Sequence, residues 1–369
     1  MESLHNIVRR GEAMNRDDLV SLLSLTEAED LEILYRAAYE TKVRHVGNIV
    51  YYRGLMEFSN QCMKNCLYCG IRRENGKVKR FRTALKDIES MAQWAYENGY
   101  GSVTLQSGER QDEAFIHDVE VMIRTVKAIG GGALGITLCV GEQSEETYRR
   151  WFEAGAHRYL LRIETSNRKL YETLHPHDGL HSWQKRYDCL KALDRVGYQV
   201  GTGVMIGLPG QTVEDLADDI LFYKKENIDM IGMGPYVIHG ETPLGRYAVN
   251  EDLDIKSERN RRLRLGLIMI AVTRLFLPDC NIAATTTLQA LHPLGREKGL
   301  KAGANVLMPI ITLPKFRKDY LLYDNKPCVD DTPLQCRQCI AARVASVGDR
   351  VGFGKWGDAP HFQKKHERT

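Results

Sequence analysis

Gly54-Leu55-Met56-Glu57-Phe58-Ser59 runs through Asn60-Gln61 into Cys62-Met63-Lys64-Asn65-Cys66-Leu67-Tyr68-Cys69-Gly70, and this junction decides how the rest of the chain reads. A strand-like run delivers a loop whose three thiols are separated by three and then two residues, with no fourth cysteine nearby. Structural zinc takes four closed ligands, whereas a 4Fe-4S cube held by three thiolates keeps one iron open to a non-protein ligand. The spacing of Cys62, Cys66 and Cys69 therefore points to the cube. The alternatives are an incomplete zinc site or three unrelated thiols acting as small core hydrophobes.

Outward from that loop the chain alternates strand-like and helix-like runs. The candidate strands are 55–59, 102–107, 134–140, 158–163, 199–206, 230–235, 281–285 and 305–309. Amphipathic helical stretches lie between them, at 84–98, 112–129, 145–154, 182–196, 213–226, 257–276 and 288–302. Strands alternating with helices of this length require parallel pairing through right-handed crossovers, and eight such units close a complete (β/α)8 TIM-type barrel. The fold class is accordingly α/β. Residues 1–48, helical with acidic first turns, are expected to cap the barrel floor; 49–310 form the barrel, and 311–369 a C-terminal extension. Chemistry in this architecture sits at the C-terminal ends of strands, where the cysteine loop already falls.

Composition narrows the function class. Apolar residues at 43% and charged residues at 27% are ordinary globular values over 369 residues, and a formal charge of +3 gives no reason to expect a nucleic-acid partner. No apolar run approaches the roughly 20 residues that cross a bilayer, and Met1-Glu2-Ser3-Leu4-His5 lacks the form of a signal peptide. A cytoplasmic protein without a membrane partner is expected. Six of the nine cysteines fall in two tight clusters, which reads as metal binding in a reducing, anaerobic setting. The second cluster is Cys328, Cys336 and Cys339, a CX7CX2C arrangement preceded by Tyr320 and Tyr323; it suggests a second iron-sulfur site, 2Fe-2S or 4Fe-4S, with zinc as the rival. Cys139, Cys189 and Cys280 stand alone.

With its Lys64-Asn65 filling and Tyr68 just before the last thiol, the first cysteine loop resembles the signature loop of the radical SAM enzymes. That resemblance implies that the open iron chelates S-adenosylmethionine, and that an electron, replenished by an external donor, cleaves the sulfonium to a 5′-deoxyadenosyl radical. Gln106-Ser107-Gly108-Glu109, after the second strand, resembles the Gly-Gly-Glu motif that holds the methionyl amino group. Strand alternation sends Arg162 and Glu164 to one inward face, where they either neutralise each other or meet a ligand. By the resemblance Glu164 bonds the ribose, Arg162 lines the substrate cavity, and Arg186 holds the cofactor carboxylate, a planar bidentate task suited to arginine. The run from Gly201 to Thr212, with Met205 and Gly207, resembles the stretch that lies against the adenine; Thr212 and Asp215 also read as a helix capping box.

Over nearly the full chain the likeness is finer. Met56 to Asn60, Cys66 to Arg73, Leu105 to Glu109, Arg158 to Arg162, Gly207 to Thr212, Ala284 to Thr286, Gly303 to Pro309 and the late CX7CX2C resemble the HydE family, the radical SAM maturases of FeFe-hydrogenase. The resemblance implies work beside the maturases HydG and HydF on a small organometallic substrate, a cysteine-bound iron carrying carbonyl and cyanide. It also implies that Thr285, Thr286, Met308, Tyr320 and Tyr323 line or gate the cavity. Two related enzymes, methylornithine synthase and the sulfur-inserting biotin synthase, are the alternatives within this barrel group, Cys139 being the one inner-strand thiol that would suit sulfur insertion. An iron-sulfur scaffold without radical chemistry is the alternative outside it, and the nucleoside-pocket residues argue against that.

Overall fold

The computed structural model describes residues 3–251 and 256–367; the outermost residues of the expected cap, Met1 and Glu2, and of the extension, Arg368 and Thr369, lie outside them. Ile49-Val50-Tyr51-Tyr52, just before the run read as the first strand, are β-branched and aromatic and favour extended backbone. Strand β1 accordingly takes in all of Ile49–Ser59. It is followed by β2 (Ser102–Ser107), β3 (Gly135–Cys139), β4 (Arg158–Leu160), β5 (Gln199–Thr202), β6 (Met205–Ile206), β7 (Met230–Ile231), β8 (Gly234–Pro235), β9 (Asn281–Ile282), β10 (Val306–Leu307) and β11 (Arg350–Val351).

The sheet order is β10-β1-β2-β3-β4-β5-β7-β9, every pairing parallel. A bridge between Ala283 and Val306 joins its two ends, with Asn305 N–H donating to Ile282 O at 2.9 Å, so the eight-stranded barrel closes as expected. Helices follow the strands because their apolar residues recur on one face. In helix Leu85–Glu97 the buried residues are Ile88, Met91, Ala92 and Ala95, one stripe at helical spacing. Each large apolar side chain so buried contributes roughly 1.5–3 kcal/mol.

Several elements depart from the sequence reading, the strands expected at 158–163 and 281–285 ending already at Leu160 and Ile282. The fifth and sixth strands are each interrupted, β5 giving way to β6 and β7 to β8, and the outer pieces pair with each other (Met205 with Gly234). Beside the break, Thr202 Oγ1 donates to Leu161 O at 2.8 Å and accepts from Ile163 N–H at 3.0 Å, so a side chain replaces the backbone ladder. The stretch 288–302, expected as one helix, is two, Thr286–Leu291 and Gly295–Lys301. Pro293 lies between them and cannot supply the N–H that a continuous helix needs.

The helices of residues 3–46 pack along the barrel's flank, Ala28–Val46 against the long helix Lys256–Phe276 and Arg16–Leu23 against Val213–Lys225. The floor is closed instead by the C-terminal segment. β11 pairs with the start of β1, Asn281 Nδ2 donates to Gly357 O at 2.8 Å, and Arg158 holds Trp356 O at 2.8 Å and Asp358 Oδ1 at 2.9 Å. Burial alone would raise the Asp358 carboxyl, but His157, Arg158 and Gln199 outweigh it and hold the group at about 2. Because that folded value lies below the ordinary 3.8, the stabilisation is full above that pH and is lost as pH falls toward 2. Asp358→Asn is expected to cost on the order of 2 kcal/mol at neutral pH and to flatten the acid limb of thermal stability. An acid limb identical to that of the unaltered protein would show that these floor contacts contribute nothing.

Candidate active site

Between Ser59 and Arg80 the backbone leaves regular structure, and its polar groups are satisfied loop by loop. Met63 N–H donates to Glu109 O at 2.8 Å, Leu67 N–H to Leu174 O at 2.9 Å, and Asn65 N–H to His181 Nε2 at 2.9 Å. The Arg80 guanidinium gathers the carbonyls of Asn60 and Ile71 at 2.7 Å and of Arg72 at 2.6 Å. The loop so held presents Cys62, Cys66 and Cys69 to a cavity of about 340 Å³ inside the barrel mouth. Thiolates about 2.3 Å from one tetrahedral zinc lie within about 4 Å of each other. Among the described residues the only group of three ligand atoms within 4.8 Å is Asp279, Cys280 and His361, so these thiols are spread too widely for one ion. Burial pushes all three thiols up, Cys69 to about 12, so a bound cation is needed to keep them ionised.

Directly beside the thiols, Gln106, Ser107, Gly108 and Glu109 line the cavity at the end of β2. A Cβ at Gly108 would lie 2.3 Å from Gln61 O and 2.8 Å from Cys62 Cβ, so only glycine lets this turn rest on the cysteine loop. Glu109 in turn needs Gly141, whose φ is +87° and whose added Cβ would meet Glu109 Cγ at 1.9 Å. Arg186 Nε donates to Arg162 O at 2.6 Å, and its Nη1 lies 2.7 Å from Glu142 Oε1 and 3.3 Å from Glu109 Oε2. Lys64 Nζ completes a four-charge network, 3.0 Å from Glu109 Oε1 and 2.9 Å from Glu142 Oε2. Burial opposes the charge on Glu142, but Arg186 and Lys64 outweigh it and lower its carboxyl below the usual range.

Arg162 and Glu164 both face the cavity and pair at 2.9 Å, while Ile163 between them is fully buried on the opposite side. Glu164 sits at φ 67°, a left-handed conformation costing a non-glycine residue about 1–3 kcal/mol. Hydrogen bonds on both sides hold it there, Glu164 N–H to Gly203 O at 3.1 Å and Met205 N–H to Glu164 O at 3.0 Å. Tyr68 and Met205 line the same space, and Tyr68 Oη lies 3.3 Å from His175 Nε2. Burial lowers His175 to about 3, so its ring is neutral. Gly207 is not among the lining residues; its N–H donates to Gln211 Oε1 at 2.7 Å in the turn before the helix that Thr212 and Asp215 cap.

Thr285, Thr286, Met308, Tyr320 and Tyr323 also line the cavity, Thr286 Oγ1 lying 2.5 Å from Tyr323 Oη and Tyr320 packing with Ile71 beside Cys69. Lys326 Nζ reaches in to Glu57 Oε1 at 2.5 Å, tying the C-terminal extension to β1.

The model of the Radical SAM superfamily matches residues 56–223, the part of the barrel that carries the cysteine loop, Glu109, Glu142, Glu164 and Arg186. Over 357 residues, 96% of each chain, the sequence is 40% identical to the [FeFe] hydrogenase maturase subunit HydE of Thermotoga maritima. The chain belongs to the HydE family. It is also 28% identical over 302 residues to 3-methylornithine synthase of Methanosarcina acetivorans, covering 82% of this chain and 81% of that one. The crystal structure of methylornithine synthase (PylB) superposes with a TM-score of 0.77 over 95% of this chain and 98% of that chain, at 24% identity, which shows the shared fold.

Membership of this family makes the chain a radical SAM enzyme, and that superfamily implies a 4Fe-4S cluster and S-adenosylmethionine. The donor set fits both: three cavity-facing thiols too far apart for one ion, and beside them carboxylates and a guanidinium suited to an amino acid's ammonium and carboxylate. Among the described residues no helix is long and apolar enough to cross a membrane.

None of Cys328, Cys336 and Cys339 lines the cavity of this HydE-family barrel. Cys336, on the first turns of helix Pro333–Ser346, is buried and shares a hydrogen bond with Cys328 that favours the Cys336 thiolate. Cys339 is exposed one turn on and accepts from Arg343 Nε at 3.3 Å. Cys139 does line the cavity, at the end of β3. Sequence reasoning missed several charged residues of the site, Arg53, Glu57 and Arg296 on the cavity wall and three more beside them. Lys64 was treated only as filling within the loop, Glu142 lies three residues past β3 where the strand-end rule would have selected it, and Lys326 has no local signal.

Proposed function

We propose that this chain generates a 5′-deoxyadenosyl radical to assemble the diiron subsite of FeFe-hydrogenase, acting on a cysteine-bound iron that carries carbonyl and cyanide. The observation that carries the reading is that Cys62, Cys66 and Cys69 line the cavity in the barrel mouth with Glu109, Glu164 and Arg186. The similarity to the HydE maturase of Thermotoga maritima supports the narrower role. On this reading the three thiolates hold the cluster and leave one iron open. Glu109 accepts the cofactor's ammonium, Arg186 its carboxylate, and Glu164 the ribose hydroxyls, with Tyr68 and Met205 against the adenine. Bound there, cluster and cofactor together supply the radical by reductive cleavage of the sulfonium. Arg162, Thr285, Thr286 and Met308 orient the substrate, while the buried walls and Tyr320 and Tyr323 exclude water from the reacting carbon.

The same reading gives the protein an external electron donor, HydG as the source of its substrate and HydF as a second partner maturase. Cys328, Cys336 and Cys339 hold a second, accessory iron-sulfur cluster outside the cavity. The test is anaerobic reconstitution with iron and sulfide, then electron paramagnetic resonance of the dithionite-reduced protein. A 4Fe-4S signal that shifts when S-adenosylmethionine is added is expected. A signal indifferent to it would leave an iron-sulfur scaffold and sink the radical reading.

A further inference from the structure

A second convergence of metal-ligand chemistry lies at the barrel floor, away from the cavity. Asp279 and Cys280 lead into β9, and His361 stands in the first turn of the C-terminal helix Pro360–Glu367, 82 residues after Asp279. None of the three lines the cavity. One ligand atom from each lies within 4.8 Å of the other two, and no other trio among the described residues does this. Backbone contact sets the helix down here, His361 N–H donating to Asp279 O at 3.2 Å. Cys280 is fully buried, and Asp279 and His361 are half-buried.

Each side chain is oriented by a partner outside the trio. His361 Nε2 lies 2.7 Å from Asn227 Oδ1, an acceptor, so that nitrogen carries the proton and Nδ1 presents a lone pair. Nδ1 faces Asp279 Oδ1 at 3.2 Å, while the other carboxylate oxygen is held by Lys364 Nζ at 2.8 Å. Two acceptors facing each other at that distance need a proton or a metal cation between them. Cys280 Sγ, on the third side, rests 3.1 Å from Ile228 O.

We propose that Asp279, Cys280 and His361 form a zinc site that pins the C-terminal helix to the barrel floor. Thiolate, imidazole and carboxylate are zinc's donors, whereas magnesium and calcium take oxygen alone. An imidazole whose second nitrogen is fixed, and a carboxylate whose second oxygen is held by an ammonium, have the outer support that metal ligands need. Water takes the fourth tetrahedral place. As the zinc to sulfur bond forms, the Cys280 thiol releases its proton to solvent and gives up Ile228 O; His361 binds neutral and Asp279 ionised. Lys364 offsets Asp279, and Lys365, 3.5 Å from Asp229 Oδ1, offsets that carboxylate, so zinc with its thiolate adds a single positive charge. The site joins β9 to the segment that closes the floor, and it is independent of the reaction proposed above.

The test uses the full chain with its iron-sulfur sites reconstituted, incubated with one equivalent of zinc sulfate and desalted. Metal analysis is expected to find about one zinc per chain, and zinc-edge X-ray absorption one sulfur at about 2.3 Å with nitrogen and oxygen at about 2.0–2.2 Å. Competition with a chromogenic chelator should show at least a tenfold loss of affinity in His361→Gln and in Cys280→Ser. Zinc should raise the thermal midpoint of the unaltered protein and not that of His361→Gln. Because His361 is only half-buried, its variant keeps the test decisive if Cys280→Ser folds poorly. A shell of two or three sulfurs that disappears in Cys336→Ala would put the zinc on the C-terminal thiols and overturn the proposal. Zinc lost on desalting, or affinity within twofold of the unaltered protein in His361→Gln, would also overturn it and leave His361 and Asp279 as an ordinary ion pair.

Discussion

Cys66→Ala is expected to lower reductive cleavage of S-adenosylmethionine to 5′-deoxyadenosine by roughly a thousandfold or more, because a cube with two thiolates is neither held nor oriented. The middle cysteine of the loop is half-buried and lines the cavity with the other two thiols, Arg186 and Glu109, and alanine there leaves the loop one thiolate short. Product is measured by chromatography after dithionite reduction, alongside iron content. Cys336→Ala, whose sulfur lies outside the cavity, should leave cleavage within about threefold of the unaltered protein. Cleavage that survives Cys66→Ala would sink the assignment of the loop. Equal loss in both variants would give the C-terminal thiols a part in the reaction.

A second large effect is expected at Arg186. Its guanidinium serves Arg162 O, Glu142 and Glu109 at once, and two carboxylates are left to Lys64 alone if it is removed. Truncating one member of a buried, hydrogen-bonded charge set costs about 2–5 kcal/mol, so Arg186→Met should weaken S-adenosylmethionine binding on the order of a hundredfold. Arg186→Lys should recover little, since a single ammonium cannot meet three acceptors in a fixed plane. Equilibrium dialysis under argon reads the affinity, with thermal unfolding run in parallel to separate lost binding from lost fold. A dissociation constant within threefold of the unaltered protein would show that Arg186 serves the fold and not the cofactor.

Much of this site could be read without coordinates because its signals are local. Three thiols within eight residues define a ligand set by spacing, and strand alternation put Arg162 and Glu164 on one face, where the fold also has them although β4 ends at Leu160. Gln106 to Glu109 could be assigned because Val103 and Leu105 alternate with polar residues in the strand that leads into them and barrel chemistry gathers where strands end. Closure into eight parallel strands followed from the same alternation of periods.

Tertiary structure alone decided the rest, because those features depend on contacts between distant residues. The floor is made by Ile49 pairing with Arg350 and by Arg158 meeting Asp358, contacts across some 300 and 200 residues that no local pattern announces. Glu142 stands where the strand-end rule selects it, but its charge partners, Lys64 from the cysteine loop and Arg186 from the helix Trp183–Val196, converge on its carboxylate only in the fold. The unpaired state of Arg296 is likewise invisible in sequence, where Glu297 stands next to it and in space turns away to Arg343. Periodicity and spacing thus determined the barrel and the cluster loop, while charge pairing, which depends on distance in space, was decided by the packed fold.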